Sequence, residues 1–462
     1  MYLSRMDALV NSSYWPFAVL LFGIIAVVVM ISKFRIHPFI ALMLSAIAVG
    51  LISANVPGAE TIPHLVRAVE QPMVEFGNVA GKIAWVIALA ALIGAAMMES
   101  GAAQRIVSWL IGAMGESRAA LALLMSGFLL SIPVFFDTVF FLLIPLAITL
   151  ALKTKKNYIL YVLAIGGGAA ITHSIVPPTP GPLIMAETLQ IDLGLTILAG
   201  LAAGILPAIA ALTVSRRMNA QLDIPVRVGL TETETEPVQP GLIAALLPVL
   251  IPIILISIAS ITDVMTGNRT PAIIAFWGNK NVAMAVGTVI ALWLWAKNKN
   301  LSAKQLWEAC AKPLEIAGII ILITSAGGAF GAMIKHSGIG NAIELATQNF
   351  HIHYIILAWL ISAAMKTAQG SSTVAMITTS SIMFALIGTG AELPYHPMYI
   401  LLAIGFGGLF LSWMNDSGFW VVARMSGFTE QEALKTWTVL LAVIALTGLA
   451  QLVLLSYILP FK

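Results

Sequence analysis

Apolar stretches separated by short polar segments run along the whole 462-residue sequence. A membrane-spanning helix needs about 20 apolar residues, and stretches of roughly that length recur throughout. The pattern predicts an all-α polytopic membrane protein with about 10 to 14 membrane segments, some of them re-entrant. We expect these segments near residues 15–31, 38–54, 83–98, 119–152, 158–176, 194–214, 241–262, 281–296, 314–334, 352–365, 371–389, 397–413 and 434–458.

Two of these stretches need comment. The run 119–152 is too long for one simple helix, and we expect a break at Ile132–Pro133, where proline removes a backbone donor. The first run follows Arg5 and ends before Lys33 without a small-residue cleavage site. It is therefore interpreted as a retained span and not as a signal peptide.

The composition makes lipid the main solvent of the chain. Hydrophobic residues make up 59% and charged residues 10%, whereas soluble domains carry roughly a quarter charged residues. The net charge of +3 is small and its positive residues form short clusters, which indicates topology and argues against a nucleic-acid partner. Cys310 is the only cysteine, so neither an intramolecular disulfide nor a thiolate metal site is expected.

An internal repeat relates the two halves of the chain. Residues 94–106 recur at 331–343 with five identities in thirteen positions, including the Gly-Ala and Ser-Gly pairs. Residues 163–168, Leu-Ala-Ile-Gly-Gly-Gly, recur at 402–407 as Leu-Ala-Ile-Gly-Phe-Gly. Two matches in the same order at nearly one offset indicate two related halves.

Loop charges predict that the halves are inverted. The loop Lys153–Lys156 carries +3, while its counterpart 390–396 carries only Glu392. Residues 55–78 are net acidic, while their counterpart 297–312 holds four lysines against Glu308. Because lysine and arginine favour the cytoplasmic side, equivalent loops are expected on opposite sides. Inverted repeats with broken helices are typical of secondary transporters.

The halves are joined by a polar segment. We assign 1–215 to the N-terminal half, 216–240 to a cytoplasmic linker and 241–462 to the C-terminal half. The linker contains the acidic run 231–236, in which threonine and glutamate alternate. Such a polar segment cannot lie in hydrocarbon, and we interpret the run as a solvated spacer.

Polar residues, glycine or proline interrupt the apolar pattern at two places in each half. Since unpaired backbone groups cannot face lipid, these places are predicted to be unwound segments that line a cavity. They are 131–138 and 171–182 in the first half, and 366–373 and 412–418 in the second.

Each ionisable residue at these breaks has a structural and a functional interpretation. Asp137 lies among phenylalanines and could cap a helix or carry a proton. His173, in a proline-broken segment, could be structural or face the cavity. Lys366 could extend to the membrane interface or hold an anion beside 370–373, where hydroxyls and free N–H groups suit a carboxylate. Asn415 and Asp416 could form a simple turn or contact the substrate.

Motifs of several enzyme classes are missing from the sequence. It has no H-E-x-x-H zinc helix, no G-x-S-x-G elbow and no Walker P-loop. Without a nucleotide-binding loop, transport would be driven by an ion or substrate gradient. No metal and no cofactor are expected.

In four sequence motifs the chain resembles the gluconate permease family of proton-coupled organic-anion symporters. The resemblance covers essentially the whole chain and rests on four strings: Ile132-Pro-Val-Phe-Phe-Asp137, His173-Ser-Ile-Val-Pro-Pro-Thr-Pro-Gly-Pro182, Asn415-Asp-Ser-Gly-Phe-Trp420 and Leu434-Lys-Thr-Trp-Thr438. It implies uptake of a sugar acid or small hydroxy acid across the bacterial inner membrane. It also implies a homodimer in which each half has a re-entrant hairpin and a broken helix.

The gluconate permease family looks related to a wider ion-transporter superfamily, in whose members a domain moves like an elevator. That resemblance implies a transport unit of about 80–182 and 314–420 here. Serine- and threonine-containing hairpin tips bind the carboxylate there, and the tip 370–373 is similar, while the first half has only Ser131 and Thr138. Thr179 stands where the family usually has His or another polar residue.

The resulting hypothesis is proton-coupled symport of a small organic anion. The candidate substrate-binding residues are Thr172, His173, Ser174, Thr179, Lys366, Gln369, Gly370, Ser371, Ser372, Thr373, Asn415, Asp416 and Ser417. The candidate proton carriers are Asp137, His173 and Asp416. Sodium coupling, a D-serine-like amino-acid substrate, a passive channel and a membrane-embedded enzyme around His173 and Asp137 are the alternatives.

Overall fold

The computed structural model describes residues 15–54, 56–58, 62–222, 224–227, 239–266, 269–339, 342, 353–390 and 392–461, and within these ranges the chain is helical without strands. The helices of the first half are α1 (Trp15–Ser32), α2 (Pro38–Ile52), α3 (His64–Glu99), α4 (Ala102–Met114), α5 (Ala119–Leu130), α6 (Phe136–Thr154), α7 (Tyr158–Ile175), α8 (Pro180–Thr188), α9 (Leu193–Ala203) and α10 (Ile205–Gln221). Those of the second half are α11 (Leu242–Thr266), α12 (Ala272–Gly278), α13 (Lys280–Lys299), α14 (Ala303–His336), α15 (Tyr354–Gln369), α16 (Ser372–Ile387), α17 (Met398–Gly407), α18 (Ser417–Met425), α19 (Glu430–Ala433) and α20 (Val439–Ile458).

The predicted polytopic α-helical class is confirmed. Among the described residues, seven helical stretches are long and apolar enough to cross a membrane, and two bent helix pairs raise that number to nine. Five shorter apolar helices of 10–17 residues complete the set. Three of these short helices, α15, α16 and α17, flank the breaks of the second half. Their shortness fits that position, because a helix that ends at a break inside the membrane need not cross it.

The two longest helices, α3 and α14, pack against each other in opposite directions. Near one end His336 Nε2 lies 3.0 Å from Glu75 Oε1. At the other end Glu99 pairs with Lys299, which immediately precedes α14, at 3.6 Å. The 24 residues between Glu75 and Glu99 rise about 36 Å, slightly more than the hydrocarbon thickness of about 30 Å. The charged pairs therefore mark the two faces of the membrane.

The internal repeat has a packing reason. A Cβ at Gly168 in α7 would lie 2.2 Å from the carbonyl oxygen of Leu124 in α5. A Cβ at Gly407 in α17 would lie 2.5 Å from the carbonyl oxygen of Trp359 in α15. In each half the broken helix thus touches the backbone of the helix before the other break, a contact that only glycine permits.

All four predicted interruptions are breaks between helices, at 131–135, 176–179, 370–371 and 408–416. The long run 119–152 divides into α5 and α6, as its proline predicted. The span predicted at 194–214 divides at Gly204 into α9 and α10, and α10 continues to Gln221, so the first residues assigned to the linker are helical. The acidic run 231–236 lies outside the described residues.

Candidate functional site

A cavity of about 190 Å³ lies where breaks of both halves meet. The first half contributes His173 from the end of α7 and Pro180 from the start of α8. The second half contributes Ser371 and Thr373 from the start of α16, and Thr324 from α14. Its remaining wall is apolar and includes Pro38, Phe135, Ile320, Ile323 and Val374. Its size suits a small molecule, since sites for drug-sized ligands occupy roughly 300–1,000 Å³.

His173 is held by its own broken segment. The Thr179 hydroxyl donates to the carbonyls of His173 at 2.9 Å and of Val176 at 2.8 Å. These bonds satisfy backbone groups that the break leaves without helical partners. The ring of Phe135 lies edge-on to the imidazole, with centroids 6.3 Å apart. Among the described residues the buried Nδ1 of His173 has no hydrogen-bond partner, so it is available to a ligand.

The start of α16 supplies the features that favour an anion. Gly370 ends α15 with φ +86°, a left-handed conformation suited to glycine. Ser371 then caps α16, its Oγ accepting from the N–H of Val374 at 3.3 Å. The first N–H groups of a helix have no helical acceptor and carry the positive end of its dipole. Ser371 and Thr373 present that end of a 16-residue helix to the cavity.

A buried ion pair joins the two breaks of the second half. Lys366 is only 1% exposed, and its Nζ lies 2.6 Å from Oδ2 of Asp416, which is 13% exposed. Lys366 Nζ also donates to the carbonyl of Gly370. Asp416 Oδ1 accepts from the N–H of Gly418 at 3.0 Å, at the start of α18. The interfacial interpretation of Lys366 is therefore wrong: its ammonium is turned inward and is already paired.

Hydrogen bonds also connect the end of α15, beside the α15–α16 break, to the 408–416 segment. Asn415 Nδ2 and Trp413 Nε1 each donate to the carbonyl of Thr367 at 2.9 Å. A Cβ at Gly370 would lie 2.0 Å from the Asn415 carbonyl oxygen. The two segments are therefore in direct contact, and a displacement of one must change the other.

The motif 434–438, to which the sequence assigned no role, supports Asp416. It forms a single π-helical turn between α19 and α20, a distortion frequent at functional sites. That turn directs Trp437 Nε1 to Ser412 Oγ at 3.1 Å and the Thr438 hydroxyl to the Ser412 carbonyl. Ser412 Oγ in turn donates to Asp416 Oδ2. The carboxylate is oriented by a chain of contacts that begins on another helix.

Asp137, for which the sequence left helix capping and proton transfer open, lies at the start of α6. Because the chain breaks at 131–135, Asp137 lies in the first turn of α6, and its side chain is exposed. A Cβ at Gly418 would lie 3.7 Å from the ring of Phe136. Asp137 therefore lies beside the Lys366–Asp416 pair and outside the cavity.

The candidate residues are divided between several environments. Thr172 and Ser174 are buried, and the Thr172 hydroxyl donates to the Gly168 carbonyl at 3.4 Å. Asn415 and Ser417 are exposed, and Ser372 is half-buried. The side chain of Gln369 lies outside the described residues. Of the thirteen substrate-binding candidates, the cavity wall contains His173, Ser371 and Thr373.

Thr324 is a cavity residue that the sequence reasoning missed. It is fully buried, and its hydroxyl has no hydrogen-bond partner among the described residues. The signal was available, because Thr324 and Ser325 form a polar pair in front of Gly327 and Gly328 inside an apolar span. No cluster of three or more His, Cys, Asp or Glu side chains suited to a metal occurs in the described part of the chain.

Comparisons with known proteins confirm the resemblance. The family described as GntP family permease matches residues 15–458. The chain is 33% identical to a gluconate permease of Pseudomonas aeruginosa, covering 94% of this chain and 96% of that protein. It is 30% identical to the inner membrane permease YgbN of Escherichia coli, covering 92% and 95%. It is 29% identical to the D-serine transporter DsdX of the same organism, covering 97% and 100%.

A solved structure has a similar fold. The YdaH transporter of Alcanivorax borkumensis, whose crystal structure revealed an unusual topology, aligns with a TM-score of 0.64. The alignment covers 92% of this chain and 99% of that one at 15% sequence identity. At this identity the likeness concerns the fold.

Proposed function

This chain belongs to the GntP permease family, and on that premise we propose that it takes up a small hydroxy-acid anion such as gluconate together with protons. The protein carries out this uptake in the bacterial inner membrane. The observation that carries the proposal is the cavity at which His173 of one half meets the start of α16 in the other. In addition, relatives that align over nearly their whole length are named as gluconate permeases and inner membrane permeases.

The cavity chemistry favours a hydroxy acid. We assign the substrate carboxylate to the start of α16, where Ser371, Thr373 and free N–H groups favour negative charge. The substrate hydroxyls are assigned to Nδ1 of His173 and to the hydroxyl of Thr324, the two buried polar groups of the described cavity wall that have no hydrogen-bond partner. Pairing with the substrate would remove the free-energy cost of about 1–3 kcal/mol that each unsatisfied group carries.

The same wall argues against an amino-acid substrate. An amino acid would bring an ammonium group, whose expected partner is a carboxylate. None of the described residues that line the cavity is acidic. A hydroxy acid lacks the ammonium and leaves no charge unpaired, so we rank the D-serine-like alternative second.

We assign proton coupling to the Lys366–Asp416 pair. While Asp416 is ionised, the Lys366 ammonium is bound to it. A proton on Asp416 removes that attraction and frees the ammonium. Lys366 already donates to Gly370, the residue before Ser371 of the cavity wall. The freed charge would then face the substrate carboxylate, so proton and anion bind together and cross as a neutral pair, which lowers the cost of crossing lipid.

Uptake by proteoliposomes containing the purified protein tests the proposal. With radiolabelled gluconate outside, an inward proton gradient should drive accumulation above equilibrium, and a proton ionophore should abolish it. Replacing sodium by choline should change nothing. Proton-independent accumulation, or accumulation that fails in choline, would overturn proton coupling. A sodium requirement would instead support the alternative in which serine and threonine oxygens hold that ion.

Asp137 and Asp416 are distinguished in the same assay. Asp416→Asn should retain exchange of internal for external gluconate and lose accumulation. Asp137→Asn should retain both, because its exposed side chain lies outside the cavity. If Asp137→Asn alone loses accumulation, Asp137 is the proton carrier and the assignment to Asp416 is wrong.

The homodimer and the elevator-like transport unit of about 80–182 and 314–420 are also proposals. The transport unit is supported by the direct contacts between the breaks of the second half and by α7 packing against α17, where a Cβ at Gly405 would lie 2.6 Å from the Ser174 carbonyl. Native mass spectrometry of the detergent-solubilised protein should give twice the chain mass of 49.0 kDa. A monomer mass at all lipid contents would exclude the dimer.

A further inference from the structure

A second cavity, which we call the outer cavity, has a volume of about 230 Å³ and a charged lining. Helices α3, α8, α14 and α16 form it. Its ionisable residues are Glu75, Lys82, Glu187, Lys335 and His336. None of them contributes to the His173–Ser371 cavity, which we call the inner cavity.

When Lys280, which pairs with one of its acids, is counted with the lining residues, three lysines face two glutamates at the outer cavity. Each of its acids already has a basic partner: Glu75 lies 3.0 Å from His336, and Glu187 pairs with Lys280. The ion pairs within the described part of the chain include neither Lys82 nor Lys335. Lys335 Nζ instead lies 4.2 Å from the ring centroid of Phe384. The two lysines therefore make this cavity attractive to an anion.

The same three helices line both cavities. Helix α8 contributes Pro180 to the inner cavity and Glu187 to the outer one, and α16 contributes Thr373 and Ser381. Helix α14 likewise runs from Thr324 past Gly331 to Lys335. Seven or eight residues of helix correspond to about 10–12 Å. The cavities therefore follow one another along a single seam between α8, α14 and α16.

Helices α14 and α16, which form this seam, carry four buried hydroxyls, called here the seam hydroxyls. Thr324 and Ser325 of α14, and Thr378 and Thr379 of α16, are all fully buried. Within the described residues none of these four hydroxyls has a hydrogen-bond partner. Buried hydroxyls normally have partners. Of these four, Thr324 lines the inner cavity, and Thr378 lies within about one helical turn of Val374 of the inner cavity and Ser381 of the outer cavity.

Two apolar side chains close the seam between the cavities. Met376 of α16 lies against Gly181 of α8, where a Cβ would come within 2.4 Å of the Met376 methyl. Ile377 lies against Gly327 of α14, where the corresponding distance is 2.0 Å. Each closure depends on a glycine surface, so a small displacement of α16 separates both contacts.

We propose that the outer cavity is the external entrance through which the anion reaches the inner cavity, with Met376 and Ile377 as its gate. The lysines of 297–312 place the start of α14 in the cytoplasm. Lys335 and His336 lie at the opposite end of that helix, which faces outward. Lys82 and Lys335 attract the anion, and the four seam hydroxyls exchange hydrogen bonds with its oxygens as it passes. This inference rests on the proposed function for the identity of the anion.

Thiol labelling of intact cells tests the entrance without measuring transport. Because Cys310 is the only cysteine, Cys310→Ala provides a cysteine-free background. The reactivity of Ser381→Cys measures access to the outer cavity, and that of Thr378→Cys measures access to the seam. Ser215→Cys is the control, since Ser215 is also fully buried but donates to its own helix at Ala211. The probes are the membrane-impermeant sulfonatoethyl and trimethylammonioethyl methanethiosulfonates.

Ser381→Cys and Thr378→Cys should react, and the anionic reagent should react about 10-fold faster than the cationic one at low salt, an advantage that high salt removes. Replacing Lys82 and Lys335 by Gln should also remove it. Equal rates for the two reagents at Ser381→Cys, or no more reaction at Thr378→Cys than at Ser215→Cys, would overturn the proposal. Preferential labelling in a protein that does not carry gluconate would uphold the entrance and refute the proposed substrate.

A second measurement does not depend on the cysteine variants. Lys335→Gln with Lys82→Gln should raise the KM for gluconate uptake about 10-fold at low ionic strength. Lys297→Gln, at the cytoplasmic end where Lys297 lies over Trp293, is the matched control and should leave KM unchanged. An equal effect of both changes would show that the two outer lysines have no special role.

Discussion

Replacing Asp416 by Asn separates the structural role of its ion pair from its role in coupling. The change keeps the size of the side chain and removes its charge, so it imitates the protonated carboxyl group. Lys366 Nζ then loses its charged partner and keeps its bond to the Gly370 carbonyl. In the wild-type protein that ammonium is bound to Asp416 and unavailable to a substrate.

The expected magnitudes follow from burial. Removing one partner of a buried pair costs about 3–5 kcal/mol of stability, and Lys366 is 1% exposed. Asp416→Asn should therefore lower the melting temperature clearly, whereas Lys366→Met combined with Asp416→Asn should restore most of it. For binding, a charge-assisted hydrogen bond contributes about 1.5–3 kcal/mol. Lys366→Met should accordingly weaken gluconate binding roughly 10- to 100-fold.

The pH dependence of binding is the decisive measurement. If one proton must bind Asp416 before the anion does, wild-type affinity falls as pH rises, by a limiting tenfold for each pH unit. Asp416→Asn should bind gluconate with an affinity that does not change with pH. Equilibrium binding of labelled gluconate to the detergent-purified protein, over about two pH units above the wild-type midpoint, gives both curves.

Two results would refute this reasoning. A wild-type pH dependence in Asp416→Asn would show that the proton binds elsewhere. Unchanged affinity in Lys366→Met with Asp416→Asn would show that the pair only holds the two breaks together. The double variant is the control for misfolding, since it removes both charges and leaves no buried ion unpaired.

Three further changes test the packing and the cavity. Gly168→Ala places a methyl 2.2 Å from the Leu124 carbonyl and should cost about 1–3 kcal/mol, whereas Gly112→Ala, with no atom within 4 Å, should leave the melting temperature unchanged or raise it; equal effects would contradict the packing account. Thr179→Val removes the single hydroxyl proton shared by the His173 and Val176 carbonyls, worth about 1 kcal/mol, so we expect a lower melting temperature and a higher KM as His173 loses its support. Thr324→Val should leave stability unchanged or improved while weakening gluconate binding about 3- to 10-fold, and unaltered binding would remove Thr324 from the site.

Much of the architecture could be predicted from local properties of the chain. Apolar runs determine where helices lie in lipid, and proline or glycine with polar neighbours determines where they break. Both effects act within a few residues, which is why all four breaks were found. The repeat could be recognised because Gly168 and Gly407 meet the same steric demand in each half. The family was recognisable for a similar reason, since three of its four diagnostic strings lie at or beside the breaks.

The grouping of side chains could not be predicted in this way. The sequence left a structural and a functional interpretation open for the residues at the breaks; Thr179 donates to its own backbone, and Asp137 does not line the cavity. Thr324, on a helix without a break at that point, does line the cavity. The direction of a side chain at a break depends on local backbone geometry. The hydrophobic periodicity of the sequence predicts side-chain direction only within a regular helix.

The sequence by itself determined a membrane protein of two related halves with four breaks, and the family to which it belongs. Only the tertiary structure decided that Lys366 is bound to Asp416, fifty residues away, and that a π-helical turn at 434–438 orients that carboxylate through Ser412. The physical reason is that a buried charge is stable only beside its partner. Which residue becomes the partner is decided by the packing of separate helices.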